Sequence, residues 1–201
     1  MPKGWSAKKR RDPHVALASG EAFQRLAAQF LPRIRAIPEG TVSPGRLPNE
    51  LGDLVACVTN LAFAIELYLK ALLTLLDLPV RQTHDLRALY DAIPEPVRAV
   101  IEDVYRTKAP EQVRQLRGHA SFTLAIGPLE KPQWDDHTRV QAALPYLLAR
   151  NKDIFQSWRY VFEFDPPEDS PYEFHQFEYA LLWCAAEALR VEITVRLQEA
   201  R

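Results

Sequence analysis

LAFAIELYLKALLTLL, residues 61–76, is apolar at nearly every position yet carries Glu66 and Lys70 near its middle. Apolar residues recurring at three and four positions make it a helix. At 100° per residue, Thr59, Glu66, Lys70, Thr74 and Asp77 fall within a stripe of about 100°, and Leu, Ile, Phe, Val and Ala hold the rest of the circumference. Such a helix is enclosed by protein on most sides and keeps one polar seam. The seam has two readings. Either it reaches solvent, with Glu66 and Lys70 forming an i to i+4 pair that contributes about 0.2–0.5 kcal/mol, or it faces another helix, where each charge requires a partner because unpaired buried charge is costly.

A partner for the second reading lies in ARNKDIFQSWRYVFE, residues 149–163. Lys152, Gln156, Arg159 and Glu163 share one face there, and Ile154, Phe155, Trp158 and Phe162 supply the other. Arg159 stands between Trp158 and Tyr160, a setting suited to a bidentate carboxylate contact or to stacking. On this reading the helix carrying Arg159 packs on the seam and Arg159 reaches Glu66. Arg159 is equally compatible with contacting a ligand or with lying exposed.

The bulk composition narrows the setting. At 201 residues and 47% hydrophobic content, the chain can bury a sizeable core as one domain, residues 15–201, behind a basic tail, residues 1–14. With 25 Lys plus Arg against 26 Asp plus Glu, no global field recruits nucleic acid or an anionic membrane, so any basic surface is local. Cys57 and Cys184 are isolated in apolar helical stretches and make neither a disulfide framework nor a metal site, which fits a reducing cytoplasm. The tail MPKGWSAKKRRDPH is not followed by an apolar run, which argues against a signal peptide. Residues 61–76 are too short to span a bilayer, and each central charge would cost roughly 2.5–3.5 kcal/mol there. A soluble cytoplasmic protein without membrane partners is expected.

Helical periodicity dominates, and the 7 glycines leave few tight hairpins. Helices are predicted at about 15–36, 50–78, 84–93, 96–108, 138–163 and 172–199, which makes the fold class all-α. IPEGTVSPGRLPNE (37–50) and FDPPEDSPYE (164–173) are loops, and Pro145 requires a kink or a restart at that point. Residues 110–134 show no sustained period and are read as irregular chain, with room for one short helix. In QTHDLRALYDAIP (82–94), Thr83 is placed to cap a helix and Asp85 to complement its dipole, while capping leaves His84 unexplained.

Three blocks in this order, AIELYLKALL (64–73), THDLRALYDAIP (83–94) and ARNKDIFQSWRYVFE (149–163), resemble the uncharacterised bacterial branch of the HEPN domains, a name that stands for higher eukaryotes and prokaryotes nucleotide-binding. The likeness covers roughly residues 50–165. It implies an antiparallel helical bundle that forms homodimers and takes part in toxin-antitoxin, phage-defence or RNA-processing systems, with an antitoxin or defence-system protein as partner. Many members are metal-independent endoribonucleases whose signature is an arginine followed, after four to six residues, by a histidine. The arginine neutralises charge developing on the phosphate and the histidine moves a proton to or from the ribose hydroxyl or leaving oxygen.

In this chain RQLRGH places Arg114 and His119 at that kind of spacing, which makes them the candidate catalytic pair. The pattern departs in one respect: Gln115 follows Arg114 where active members often carry Asn or Asp. Glu66, Lys70, His84, Asp85, Asn151, Arg159 and Glu163 form the candidate polar seam or ligand site. The sequence contains no GxGxxG, Walker A loop, GxSxG or HExxH and no Cys or His cluster with ligand spacing, so neither a metal nor a cofactor is expected. The functional expectation is a HEPN-like protein of RNA or nucleotide transactions, an endoribonuclease if it is an enzyme. The alternative is a non-catalytic dimerisation or protein-interaction module.

Overall fold

The computed structural model describes residues 12–34, 48–116, 122–126, 143–159 and 173–200. Along them run α1 (Pro13–Ile34), α2 (Pro48–Leu75), α3 (Leu86–Asp91), α4 (Glu95–Leu116), β1 (Phe122–Ile126), α5 (Leu144–Arg150), α6 (Ile154–Arg159), β2 (Glu173–Phe177) and α7 (Tyr179–Glu199). The fold is all-α, a helical bundle. The sheet among the described residues is one antiparallel ribbon pairing Phe122 with Phe177 and Ile126 with Glu173.

Local chemistry sets the helix ends. Asp12 accepts the His14 amide at 2.8 Å while Pro13 takes the first helical position, where a missing N–H costs nothing. At the other end of α2 the Leu78 amide reaches the Leu73 carbonyl at 2.9 Å and the Asp77 amide reaches Thr74 at 3.1 Å. This is a Schellman closure, and it holds Asp77 at φ 53°, a left-handed conformation that usually takes glycine.

α2 is the central helix. It packs against α1, α7, α6 and α3, and Leu61, Ile65, Tyr68, Leu69, Leu72 and Leu73 are all completely buried. α1 runs antiparallel to it, since Phe23 meets Phe63 at one level and Arg33 meets Asp53 at another. α7 shares the enclosure. From Tyr179 to Leu189 only Trp183 and Glu187 escape full burial, so α2 is not alone in being apolar around most of its circumference. By length and hydropathy the stretch Leu51–Leu75 could cross a membrane, which corrects the inference drawn from residues 61–76 alone; 61% of its apolar window is nevertheless buried inside the bundle.

Three predicted elements differ from the observed ones. α4 continues past residue 108 to Leu116 with Pro110 inside it. Pro110 and Arg106 both lie on the solvent side, so the Arg106 carbonyl that loses its helical partner can turn to water. The predicted helix 138–163 is two short helices among the described residues: α5 starts at Leu144 with Pro145 in its first turn, and Asn151 ends it. Residues 173–177, assigned to the last helix by periodicity, form β2 because they find a partner strand in FTLAI, which itself lies in the stretch read as irregular chain.

Two glycines give predictions of opposite sign. A Cβ at Gly20 of α1 would meet the Tyr68 ring at 2.5 Å, and that ring is buried and anchored by its hydroxyl, whereas a Cβ at Gly52 of α2 meets nothing within 4 Å. Gly20→Ala should therefore destabilise by about 1–3 kcal/mol despite its gain in helix propensity. Gly52→Ala should stabilise by about 0.5–1 kcal/mol. Urea denaturation of the two variants checks both signs.

Candidate functional site

The polar seam of α2 closes around one carboxylate. Glu66 is 1% exposed, with Oε1 at 2.5 Å from Lys70 Nζ and Oε2 at 2.8 Å from His84 Nδ1. A carboxylate can only accept, so His84 Nδ1 carries the proton of that bond and, in the neutral ring, Nε2 keeps the lone pair. The two bases are not buried with their acid: the Lys70 side chain is 24% exposed and that of His84 44%. Buried acid and outward-facing bases together form a half-open edge at which Lys70 and the His84 ring reach the surface. The threonines of the seam stay local, Thr59 donating to the Val55 carbonyl and Thr74 to that of Lys70, both at 2.8 Å.

His84 owes its position to the start of α3. Asp85 is the cap, accepting the Ala88 amide at 2.8 Å, and Thr83 Oγ1 accepts the Asp85 amide at 3.1 Å. The cap is thus Asp85 and not Thr83, as the sequence suggested, because the helix begins one turn beyond Thr83 at Leu86. Leu86 in turn donates its amide to the Lys152 carbonyl at 3.1 Å, which ties this connection to the segment leading into α6.

α6 packs on α2, as the third sequence block implied, but in another register. The residue it presents to the seam is Phe155, whose ring stacks on His84 at 5.1 Å between centroids and meets Phe63 in a tilted arrangement at 5.5 Å. Arg159, one turn further along, lies with its guanidinium 5.8 Å from the centroid of the Phe155 ring. The expected contact between Arg159 and Glu66 is therefore corrected: His84 occupies that place. Asn151 leaves the seam altogether. It is buried, donating to the Leu147 carbonyl at 2.8 Å and to Glu178 at 3.2 Å, so it closes α5 against the start of α7.

Arg114 stands in the last turn of α4, its side chain 74% exposed and ion-paired with Glu111 of the same helix. His119 and Glu163 lie outside the described residues. Among the described residues no group of three or more His, Cys, Asp or Glu could hold a metal ion.

Sequence reading missed a second polar network inside the bundle. Tyr68 donates its hydroxyl to Gln24 Oε1 at 2.7 Å, Gln24 Nε2 donates to Glu187 at 2.8 Å, and Arg190 reaches Glu187 at 2.9 Å. Burial pushes the Glu187 carboxyl up, but the hydrogen bonds and charge of Arg190 and the amide of Gln24 outweigh it and hold the group below its ordinary value. The signal was available: Gln24 and Glu187 interrupt apolar helix faces as Glu66 does. Both cysteines are inert packing groups, since burial pushes the Cys57 thiol up to about 12 and that of Cys184 to about 11.

No family model, no curated protein and no solved structure matches the chain.

Because Glu66 is buried and its partners are not, the pair terms are asymmetric. Removing both bases, as Lys70→Met with His84→Phe, should cost about 3–5 kcal/mol by stranding the carboxylate, and adding Glu66→Leu should restore most of it. Chemical denaturation of the double and triple variants measures this; a triple variant less stable than the double would show that Glu66 is not held by these two residues.

Proposed function

We propose that this chain is a HEPN-like helical protein acting in RNA or nucleotide transactions, as a dimer, in a bacterial defence or toxin-antitoxin setting. One observation supports this reading above the others. The three sequence blocks that carry the resemblance, distant in the chain, contribute Glu66 and Lys70, His84, and Phe155 and Arg159 to a single cluster. Its outward side presents a lysine, an imidazole and a guanidinium next to aromatic rings, a combination suited to phosphate and base.

In this reading Arg114 and His119 are the cleaving pair, the arginine countering charge on the phosphate and the histidine transferring the proton. The exposure of the Arg114 side chain, five residues ahead of His119 in the sequence, supports this reading. A second reading, a non-catalytic dimerisation or interaction module, is favoured by the commitment of Arg114 to Glu111 within its own helix.

Incubation of the full chain with a mixed pool of single-stranded RNA in excess chelator separates the two. The nuclease reading expects cleavage, lowered about 100-fold or more by Arg114→Ala and by His119→Ala. Cleavage that survives His119→Ala removes the pair from catalysis. Intact RNA with the wild-type protein, with a dimer by light scattering, supports the interaction module.

A further inference from the structure

Between α4 and α7 lies an open cleft lined by Thr107, Lys108, Glu111, Gln112, Trp183 and Glu187, with Cys184 at its floor. Most of its polar groups are already committed. Thr107 donates its hydroxyl to the Asp103 carbonyl at 2.9 Å, Glu111 is bound to Arg114, and Glu187 is bound to Arg190 and Gln24. Cys184 is uncharged at neutral pH because burial raises its thiol. Two donors are left over: among the described residues neither the Lys108 ammonium nor the Gln112 amide has a hydrogen-bond partner. Trp183 adds an aromatic surface, backed by the Tyr179 ring stacked at 5.8 Å between centroids.

A cation that meets Glu187 only through space, an amide without a hydrogen-bond partner among the described residues and a braced indole in one cleft suit a ligand that is both anionic and aromatic. We propose that the cleft between α4 and α7 binds one nucleotide unit of a single-stranded RNA, its base on Trp183 and its phosphate on Lys108. The inference rests on the RNA reading above and extends it, because Thr107, Glu111 and Arg114 follow one another on one face of α4 at spacings of four and three. A strand held in the cleft is thereby led along that face toward Arg114. Stacking tolerates any base, and Gln112 supplies the group able to discriminate among base edges. Lys108 and Trp183 are positioning residues here, since neither needs to touch the bond that breaks.

Binding of a fluorescently labelled single-stranded oligoribonucleotide to the full chain, followed by anisotropy in chelator over a range of salt concentrations, tests the proposal. Trp183→Ala should weaken binding roughly tenfold or more, and Trp183→Phe should retain most of the affinity. Lys108→Gln should weaken binding and lower the slope of log affinity against log salt by about 0.7, a change that a purely structural role would not produce. Lys108 is exposed, so this variant keeps the test valid if Trp183→Ala fails to fold. Wild-type protein that does not bind the oligonucleotide, or binding unchanged in both Lys108→Gln and Trp183→Ala, overturns the proposal. Cleavage is scored separately: binding that depends on Lys108 and Trp183 in a protein that cuts nothing keeps the cleft and removes only the nuclease, and cleavage with unchanged affinities does the reverse.

Discussion

The carboxylate of Glu66 is the constraint around which the centre of the bundle is arranged. An ionised carboxylate with 1% exposure, on a helix enclosed by apolar neighbours, is costly unless donors or cations meet its oxygens. One donor comes from the same helix, one turn on. The other must come from elsewhere in the chain, and it comes from the connection leading to α3. That single requirement fixes how the chain leaves α2, where α3 begins and how Phe155 finds a ring to stack on.

The same device recurs at the other interfaces of the bundle. Tyr68, Gln24, Glu187 and Arg190 join α2, α1 and α7 in one hydrogen-bonded chain, and Asn151 with Glu178 joins α5 to the start of α7. Leucine and alanine surfaces slide past one another at little cost, because many registers bury similar area. A hydrogen-bonded polar group inside such a surface admits one register, since every other leaves it unpaired. The apolar content supplies the driving force for collapse, and the sparse polar groups select which collapsed arrangement persists.

What could be read in advance follows from that division. The all-α class, the centrality of α2, the polar seam and the restart at Pro145 rest on periodicity, local spacing or backbone geometry and were legible. The registers were not. Arg159 and His84 are both plausible partners for Glu66 by charge, and the register of α6, which sets Phe155 and not Arg159 against His84, goes with the choice of His84. Thr83 and Asp85 are both competent caps, and the tie between Leu86 and the Lys152 carbonyl, far away in sequence, accompanies the choice of Asp85. EFHQF is ambiguous by itself and becomes a strand because FTLAI is present to pair with it.

The surface carries what these networks leave over. Three acids of the interior are matched by hydrogen-bonded partners, Glu66 by Lys70 and His84, Glu187 by Arg190 and Gln24, and Glu192 by Arg196 at 2.6 Å, while buried Glu178 accepts from Asn151 on one oxygen and has the Arg150 guanidinium 3.5 Å from the other. Interior pairing turns carboxylates inward and their basic partners toward the surface, as the exposures of Glu66 and His84 show most directly. A chain with nearly equal numbers of acidic and basic residues can in this way present local cationic edges without any net basic charge. A lack of net basic charge therefore leaves the local surface free to differ from the balance of the whole chain, provided that the acids are the buried members of the ion pairs.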